Sequence, residues 1–249
     1  MSSSTTPIQA VLFDFAGTLF DDRDLRDVHL QQLRFVAAAA GRAGTDDELR
    51  AAYRQGMAVA YRSVACAPCY LHRELFGAAF TAMATALGSR IDDATAQLAV
   101  TRQYRATIDA ARLRPDCLAT LGALRSRGLH VQIVSNIDDE QLEPMVDRLG
   151  LRDVIDAATS SEAAGSCKPD RSIYETALDK SRVRPEAALF VGDSIGHDIV
   201  GPAAMGMRTA WLPPRPAADP GDARPDAIIG SLGEVLALVG IRAVHGAAR

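Results

Sequence analysis

Lysine is almost missing from this chain. Lys168 and Lys180 are the only lysines among its 27 basic residues; all the others are arginine. The bias is most simply a coding preference, and it makes the position of each lysine informative. Positive charge is not in surplus either. Against 31 acidic residues the formal net charge is −4, so electrostatics give no footprint for a nucleic-acid partner. Cysteine is scarce: four in 249 residues do not make a disulfide scaffold. No apolar run is long enough to span a bilayer, and the opening "MSSSTTPIQA" has neither the basic nor the apolar region of a secretory signal. Internal repeats and long low-complexity segments are missing too. The expectation is a soluble cytoplasmic protein, monomer or homodimer, without nucleic-acid or membrane partners and with a short disordered N-terminal tail.

What is present is an ordinary globular composition, 48% hydrophobic and 23% charged, in a chain long enough for one large domain or two smaller ones. Apolar runs of strand length fall at Ile8–Phe13, Leu129–Val134, Val154–Ala158, Ala187–Val191 and Arg208–Leu212. Between them lie stretches of helical period, Cys117–Arg127, Asp139–Leu149, Ser172–Asp179 and Asp198–Met205. Pro115 and Asp116 make a start for the first of these helices and Gly128 a stop. Near-continuous apolar strands alternating with helices predict a parallel sheet covered on both faces, an α/β doubly wound, Rossmann-like fold.

Residues 21–113 break the alternation. They hold alanine-rich amphipathic stretches with breaks near Gly41–Thr45, Ala65–Cys69 and Gly88–Asp92, and no convincing strand. This predicts a helical domain inserted after the first strand, leaving 1–20 and 114–249 as the α/β core. Insertions are tolerated where strand ends meet loops, so the bundle would cover the functional edge of the sheet as a cap. The proline-rich "PPRPAADPGDARP" (Pro213–Pro225) predicts a surface loop.

Polar residues collect just past the predicted strand ends. "FDFAGT" ends the first, "VSNID" the second and "FVGDSIGHD" the fourth, while "SCKPD" precedes a helix. Parallel strands bring these ends to one edge, where they supply Asp14, Thr18, Ser135, Asn136, Lys168, Asp193 and Asp198. Asp14 and Asp193 are two carboxylates on adjacent strand ends, and close like charges repel unless a cation or a proton intervenes. Hard oxygen ligands suit Mg²⁺, with Asp198 holding a coordinating water or stiffening the site. One cation, one lysine, the Ser135 hydroxyl and the amides of the turn at Gly17 form a receptor for a phosphoryl group. Asp14 is its natural nucleophile, forming an aspartyl-phosphate that water then hydrolyses.

These motifs resemble the haloacid dehalogenase-like (HAD) hydrolase superfamily, in its helical-cap group, over nearly the whole chain. "DFAGT" resembles the nucleophile motif in its phosphonatase-like D-x-A-G-T form, Ser135 the second motif, Lys168 the third and "GDSIGHD" the acidic fourth. The resemblance implies that Asp14 attacks and that Mg²⁺ binds Asp14, Asp193 and the backbone carbonyl of Ala16. Thr18, Ser135 and Lys168 join Asp14 as catalytic candidates, and Gly17, Ser135, Asn136 and Lys168 hold the substrate. The implied activity is a phosphatase for a small phosphorylated metabolite.

Ala16 departs from that pattern. Family phosphatases carry a carboxylic acid here, which protonates the leaving group and then activates water. Such help is worth about 10²–10⁴ in rate, or roughly 3–5 kcal/mol of barrier. Family phosphonoacetaldehyde hydrolases also carry alanine at this place but use a cap lysine, and residues 21–113 contain none. Family dehalogenases lack the second aspartate as well, need no metal and lack the acidic fourth motif. A non-catalytic phosphate-binding protein is the remaining alternative.

Other residues have plainer readings. Lys180 sits near a helix C-terminus, where a cation is mildly stabilising. Cys66, Cys69 and His72 form C-x-x-C-x-x-H, one ligand short of a structural zinc site. Asp138 and Asp139 are expected to open the next helix, and His197 to be a spectator. Arg54, Tyr61, Arg62, His72 and Arg73 are candidates for the inner face of the cap.

Overall fold

The computed structural model describes residues 6–64, 67, 69–214 and 219–241. The expected N-terminal tail, Cys66 and the middle of the proline-rich segment lie outside the described residues. Strand β1 (Ala10–Phe13), "AVLF", is buried at all four positions, as a strand covered on both faces must be. It forms the middle of a six-stranded parallel sheet with β2 (His130–Ser135), β3 (Ala157–Ser160), β4 (Ala188–Gly192), β5 (Arg208–Trp211) and the short β6 (Ala227–Ile228), in the order β3-β2-β1-β4-β5-β6.

One face of the sheet packs Val11, Phe13, Val131, Ile133, Leu189 and Val191 against Leu121 and Leu124 and against Leu142 and Met145. Those partners belong to α5 (Cys117–Ser126) and α6 (Asp139–Arg148). The other face packs Leu12, Val134 and Phe190 against Ile173, Tyr174 and Ala177 of α8 (Arg171–Ser181), which follows the short α7 (Ser161–Ala164). The doubly wound architecture is as the apolar strands predict.

Between β1 and β2 run four long helices, α1 (Arg26–Ala39), α2 (Asp46–Val64), α3 (His72–Ala86) and α4 (Asp93–Ala110). Their ends follow from capping chemistry. Thr45 and Glu48 exchange backbone-to-side-chain bonds at the start of α2, and the Asp92 carboxylate accepts from Thr95 N–H at 2.8 Å at the start of α4. Leu33, Val36, Leu49, Phe80, Met83, Val100 and Tyr104 form the bundle's own core. The chain leaves the sheet at Phe20 and returns at Leu113, and these two residues pair as an antiparallel bridge.

Three expectations are corrected. The strand expected at Val154–Ala158 begins at Ala157, because Leu151–Asp153 turns as a 3-10 segment and Leu151 and Ile155 pack into the core. The helix expected over Asp198–Met205 is a π-helical turn at Ile195–Val200 running into the short α9 (Gly201–Ala204). In that wider turn the His197 carbonyl accepts from the Tyr174 hydroxyl on α8; such turns occur frequently at functional sites. Strand β6 was not expected, since two residues carry no readable alternation.

Candidate active site

The sheet itself positions the first group. Phe13 lies level with Ile133 on one side and Val191 on the other, so the residues that follow each strand meet at one edge. Asp14 stands there, 6% exposed, with its N–H donating to the Val191 carbonyl at 2.9 Å. The chain then turns tightly, with Leu19 N–H returning to the Phe15 carbonyl at 2.8 Å. That turn folds Thr18 back over Asp14.

Both oxygens of Asp14 are engaged. Lys168 Nζ donates to Oδ1 at 2.7 Å, Ser135 Oγ to the same atom at 3.3 Å, and Thr18 Oγ1 to Oδ2 at 3.2 Å. Lys168 also donates to Asp198 Oδ1 at 2.7 Å. Asn136 holds the lysine's backbone from both sides, accepting its N–H at 2.7 Å and donating to its carbonyl at 2.9 Å. Burial alone would pull the Lys168 ammonium down, but Asp14 and Asp198 outweigh it and hold it above the ordinary lysine range. Burial pushes the Asp198 carboxyl up to about 6, against the pull of Lys168. Lys168 stays charged, because two carboxylates at 2.7 Å hold it.

Asp14, Asp193 and Asp198 bring carboxylate oxygens within 4.8 Å of one another. Two glycines permit this approach. A Cβ on Gly17, whose φ is +81°, would sit 2.4 Å from Asp193 Oδ2, and a Cβ on Gly192 would sit 2.3 Å from that of Asp198. Ser194 N–H donates to Asp198 Oδ2 at 2.9 Å, and Trp211 Nε1 donates to the Asp193 carbonyl at 2.9 Å, fixing the loop that carries both acids. Three close carboxylates against a single lysine leave a surplus of negative charge on hard oxygens, a donor set that fits a divalent cation such as Mg²⁺.

Arg114 was not singled out by sequence. Its guanidinium donates to the carbonyls of Thr18 at 2.8 Å and Gly17 at 2.6 Å, and so braces the turn behind Asp14. No local signal marks it, since its partners lie far back in the chain. Asp138 opens α6 as expected, its backbone carbonyl accepting from Leu142 N–H at 3.0 Å, but its side chain makes no cap there. Instead its buried carboxylate reaches the start of α3, accepting from His72 N–H at 2.7 Å, Arg73 N–H at 2.8 Å and the Tyr104 hydroxyl at 3.0 Å. Asp139 does begin α6, but its carboxylate accepts from Ser160 Oγ. Arg73 turns to Glu162 at 2.7 Å. Lys180 lies in the last turn of α8, as expected, and donates to the Ala158 carbonyl at 2.9 Å.

A hollow of about 360 Å³ opens over Asp14, bordered on the sheet side by Ala16, Ser135, Asn136, Lys168, Asp193 and Asp198 and on the bundle side by Tyr61, Tyr70 and His72. His197 also borders it. Arg54 and Arg62 are exposed and stand outside it. Cys69 packs half-buried near Cys167, with sulfurs 3.9 Å apart. A larger hollow, about 1030 Å³, lies among α2, α3 and α4 and is lined mainly by small side chains such as Gly77, Ala78 and Ala82. Its charged lining, Arg73, Glu74, Asp93 and Glu140, includes none of the groups at the strand ends, so the smaller hollow is the candidate site.

Several known proteins resemble this chain in sequence or in fold. The human haloacid dehalogenase-like hydrolase domain-containing protein 3 is 41% identical over 101 residues, covering 41% of this chain and 40% of that protein. Ribulose-1,5-bisphosphate 5-phosphatase of Halopiger xanaduensis is 30% identical over 47% of this chain and 48% of its own length. (S)-2-haloacid dehalogenase 1 of a Pseudomonas species is 34% identical over 39% and 43%. The chain thus spans less than half the length of these relatives. A putative HAD-hydrolase of Bacillus subtilis, solved bound to magnesium, has the same fold, with a TM-score of 0.76 at 21% identity over 95% of this chain and 100% of that one. Among the described residues no helix is long and apolar enough to cross a membrane. The sequence profile of haloacid dehalogenase-like hydrolases matches residues 8–206, and with that match the chain belongs to the haloacid dehalogenase-like hydrolase family.

Proposed function

We propose that this protein is a Mg²⁺-dependent phosphatase that acts on a small phosphorylated metabolite through an aspartyl-phosphate on Asp14. One observation carries the reading: a buried aspartate is held by Lys168, Ser135 and Thr18 at a sheet edge, with Asp193 and Asp198 close enough to share a cation. Residues 21–113 act as a cap over a core made of 1–20 and 114–249. The enzyme works in the cytoplasm as a monomer or homodimer.

Asp14, Asp193, Asp198 and the Ala16 carbonyl would hold Mg²⁺, which supplies positive charge to the oxygens of the phosphoryl group. Lys168, the Ser135 hydroxyl, Asn136 and the backbone N–H groups of the Gly17 turn receive the remaining phosphoryl oxygens. An Asp14 oxygen attacks phosphorus, and the bond to the leaving oxygen breaks with its electron pair going to the leaving group. Water then attacks phosphorus, the bond to Asp14 breaks, and phosphate departs. Ala16 offers no proton to the leaving oxygen, so the first step favours leaving groups that are weak bases.

Phosphate release from a panel of phosphorylated metabolites, with and without Mg²⁺, tests the reading. Metal-dependent release by the wild type and none by Asp14→Asn supports it. A dehalogenase is the second reading, favoured by Ala16 and by the named activity of the Pseudomonas relative. Full turnover of a 2-haloacid in EDTA would establish it. Binding of Mg²⁺ and phosphate without turnover of any substrate would establish a non-catalytic protein.

A further inference from the structure

The wall of the cavity that faces the carboxylates is built of rings. Tyr61 comes from the last turn of α2, Tyr70 from the segment that follows and His72 from the start of α3. Tyr61 and Tyr70 meet edge to face with centroids 6.1 Å apart, and Tyr70 stacks on His72 at 5.6 Å with an interplanar angle of 10°. Phe76 packs edge-on against the same imidazole at 5.5 Å. Asp138 fixes the backbone that carries His72, accepting its N–H at 2.7 Å.

The rings present uncharged faces. Burial raises the Tyr70 phenol, with Tyr61 adding to the effect, and burial lowers the His72 imidazole although Asp138 opposes it. Among the described residues, the bundle contributes no cation to the cavity: Arg54 and Arg62 do not border it, and Arg73 is engaged by Glu162. A leaving group bearing a second phosphate or a carboxylate would find no partner there. A flat, neutral group would find ring faces and edges at aromatic contact distance. The volume, about 360 Å³, is at the lower end of small-molecule sites and accommodates a phosphoryl group with a compact planar substituent.

Ala16 imposes a second, independent restriction. It borders the same cavity and carries no acid, so the leaving oxygen must depart without a proton from that position. Phenol-like oxygens are weak bases and do so; alcohol oxygens do not.

We infer that Tyr61, Tyr70 and His72 form the leaving-group subsite and that its occupant is a planar aromatic ring, which makes the substrate class an aryl phosphate monoester. The inference rests on the phosphatase reading above. In the reaction an Asp14 oxygen bonds to phosphorus, the phosphorus–oxygen bond to the ring breaks, and the aryloxide leaves with the electron pair to take a proton from water. A second water then adds to phosphorus, returning the Asp14 carboxylate and releasing phosphate and a proton.

Steady-state kinetics of the full chain test this with p-nitrophenyl phosphate, acetyl phosphate and glucose 6-phosphate. Wild type should prefer the aryl ester in kcat/KM. Tyr70→Leu and the more exposed Tyr61→Leu should each lower kcat/KM for the aryl ester roughly tenfold more than for acetyl phosphate, the scale of one lost ring contact with its buried area. A wild type that favours glucose 6-phosphate, or variants that lose equally on aryl and acetyl substrates, would overturn the subsite. Binding of phenylphosphonate and methylphosphonate separates this inference from the phosphatase reading. Tighter binding of the phenyl compound, lost in Tyr70→Leu, establishes the ring subsite even if no ester is hydrolysed. Equal binding of the two overturns it even if phosphate is released.

Discussion

The two walls of the cavity are made by opposite means. On the sheet side the working groups are charged or polar and, Asp193 and Asn136 apart, buried: Asp14 is held by Lys168, Ser135 and Thr18, and Lys168 by Asp14, Asp198 and Asn136. On the bundle side the lining is aromatic, half-buried or exposed, and fixed by ring contacts and a single carboxylate from the core. Strand ends hold chemistry closely in place, since the ladder on either side of β1 leaves little freedom. A helical insertion fixes shape more loosely, and it is the part that can vary without disturbing the sheet. The proposed division is that the core transfers the phosphoryl group and the bundle selects what leaves.

The largest effect should come from the sheet wall. Asp14→Asn should reduce turnover below about one part in 10⁴, because an amide nitrogen does not attack phosphorus as the carboxylate does. Circular dichroism should stay native, since Lys168 keeps Asp198 as a partner. Measurable turnover well above that level would remove Asp14 as nucleophile. Asp193→Ala or EDTA should abolish activity as well, and Mg²⁺ should restore the chelated wild type but not the variant. In addition, Mg²⁺ should raise the Tm of the wild type, because a ligand that binds only the folded state stabilises it by mass action. A Tm indifferent to Mg²⁺ would argue against the carboxylate cluster as a cation site.

The junction between the walls comes next in size. Asp138→Ala would leave His72 N–H, Arg73 N–H and the Tyr104 hydroxyl without their buried acceptor. Losing a buried charged acceptor with several donors should destabilise by about 3 kcal/mol. Urea unfolding measures the loss, and hydrogen exchange locates it. Exchange should quicken in the first turn of α3 while β1 and β2 keep their protection. Equal acceleration in the sheet would mean that the two walls unfold as one unit and that the comparison has been drawn too sharply.

That same division explains what sequence made legible. Asp14, Ser135, Lys168, Asp193 and Asp198 each follow an apolar run or a turn signal, so their convergence follows once the strands are known to be parallel. Lys168 stands out further in a chain so poor in lysine. The bundle's existence was readable from the break in alternation, and its four helices fall between the expected breaks. Its inward face was not readable. Of five candidate residues Tyr61 and His72 border the cavity, while Arg54, Arg62 and Arg73 do not, because a helix in a bundle has several semi-exposed faces and period alone does not say which one meets the core. Tyr70 lies between helices, where no period applies. Arg114 and Asp138 act on partners distant in sequence, and nothing local distinguishes a brace from a surface charge.

Ala16 offers the smallest and sharpest test, since it lies at the boundary of the two walls. If the missing carboxylate is the only defect in a working phosphatase, rate should depend steeply on the leaving group. An aryl or acyl phosphate leaves as a weak base, whereas an alkyl phosphate needs a proton. Wild type should therefore turn over p-nitrophenyl phosphate or acetyl phosphate and be slow on simple sugar phosphates. Ala16→Asp should speed the sugar phosphates by about tenfold or more, a modest part of the roughly 10²–10⁴ that a well-placed acid supplies. In barrier terms tenfold is about 1.4 kcal/mol. The gain should be partial, because the new carboxylate must share the cavity with the Asp14, Asp193 and Asp198 charges. The aryl substrate should change much less, since its leaving oxygen already departs unaided. Equal acceleration of both substrates would mean that the aspartate acts on water in the second step rather than on the leaving group. A wild type as fast on alkyl as on aryl esters would mean that another residue of the cavity supplies the proton, and the aromatic wall would then have to account for selectivity without help from Ala16.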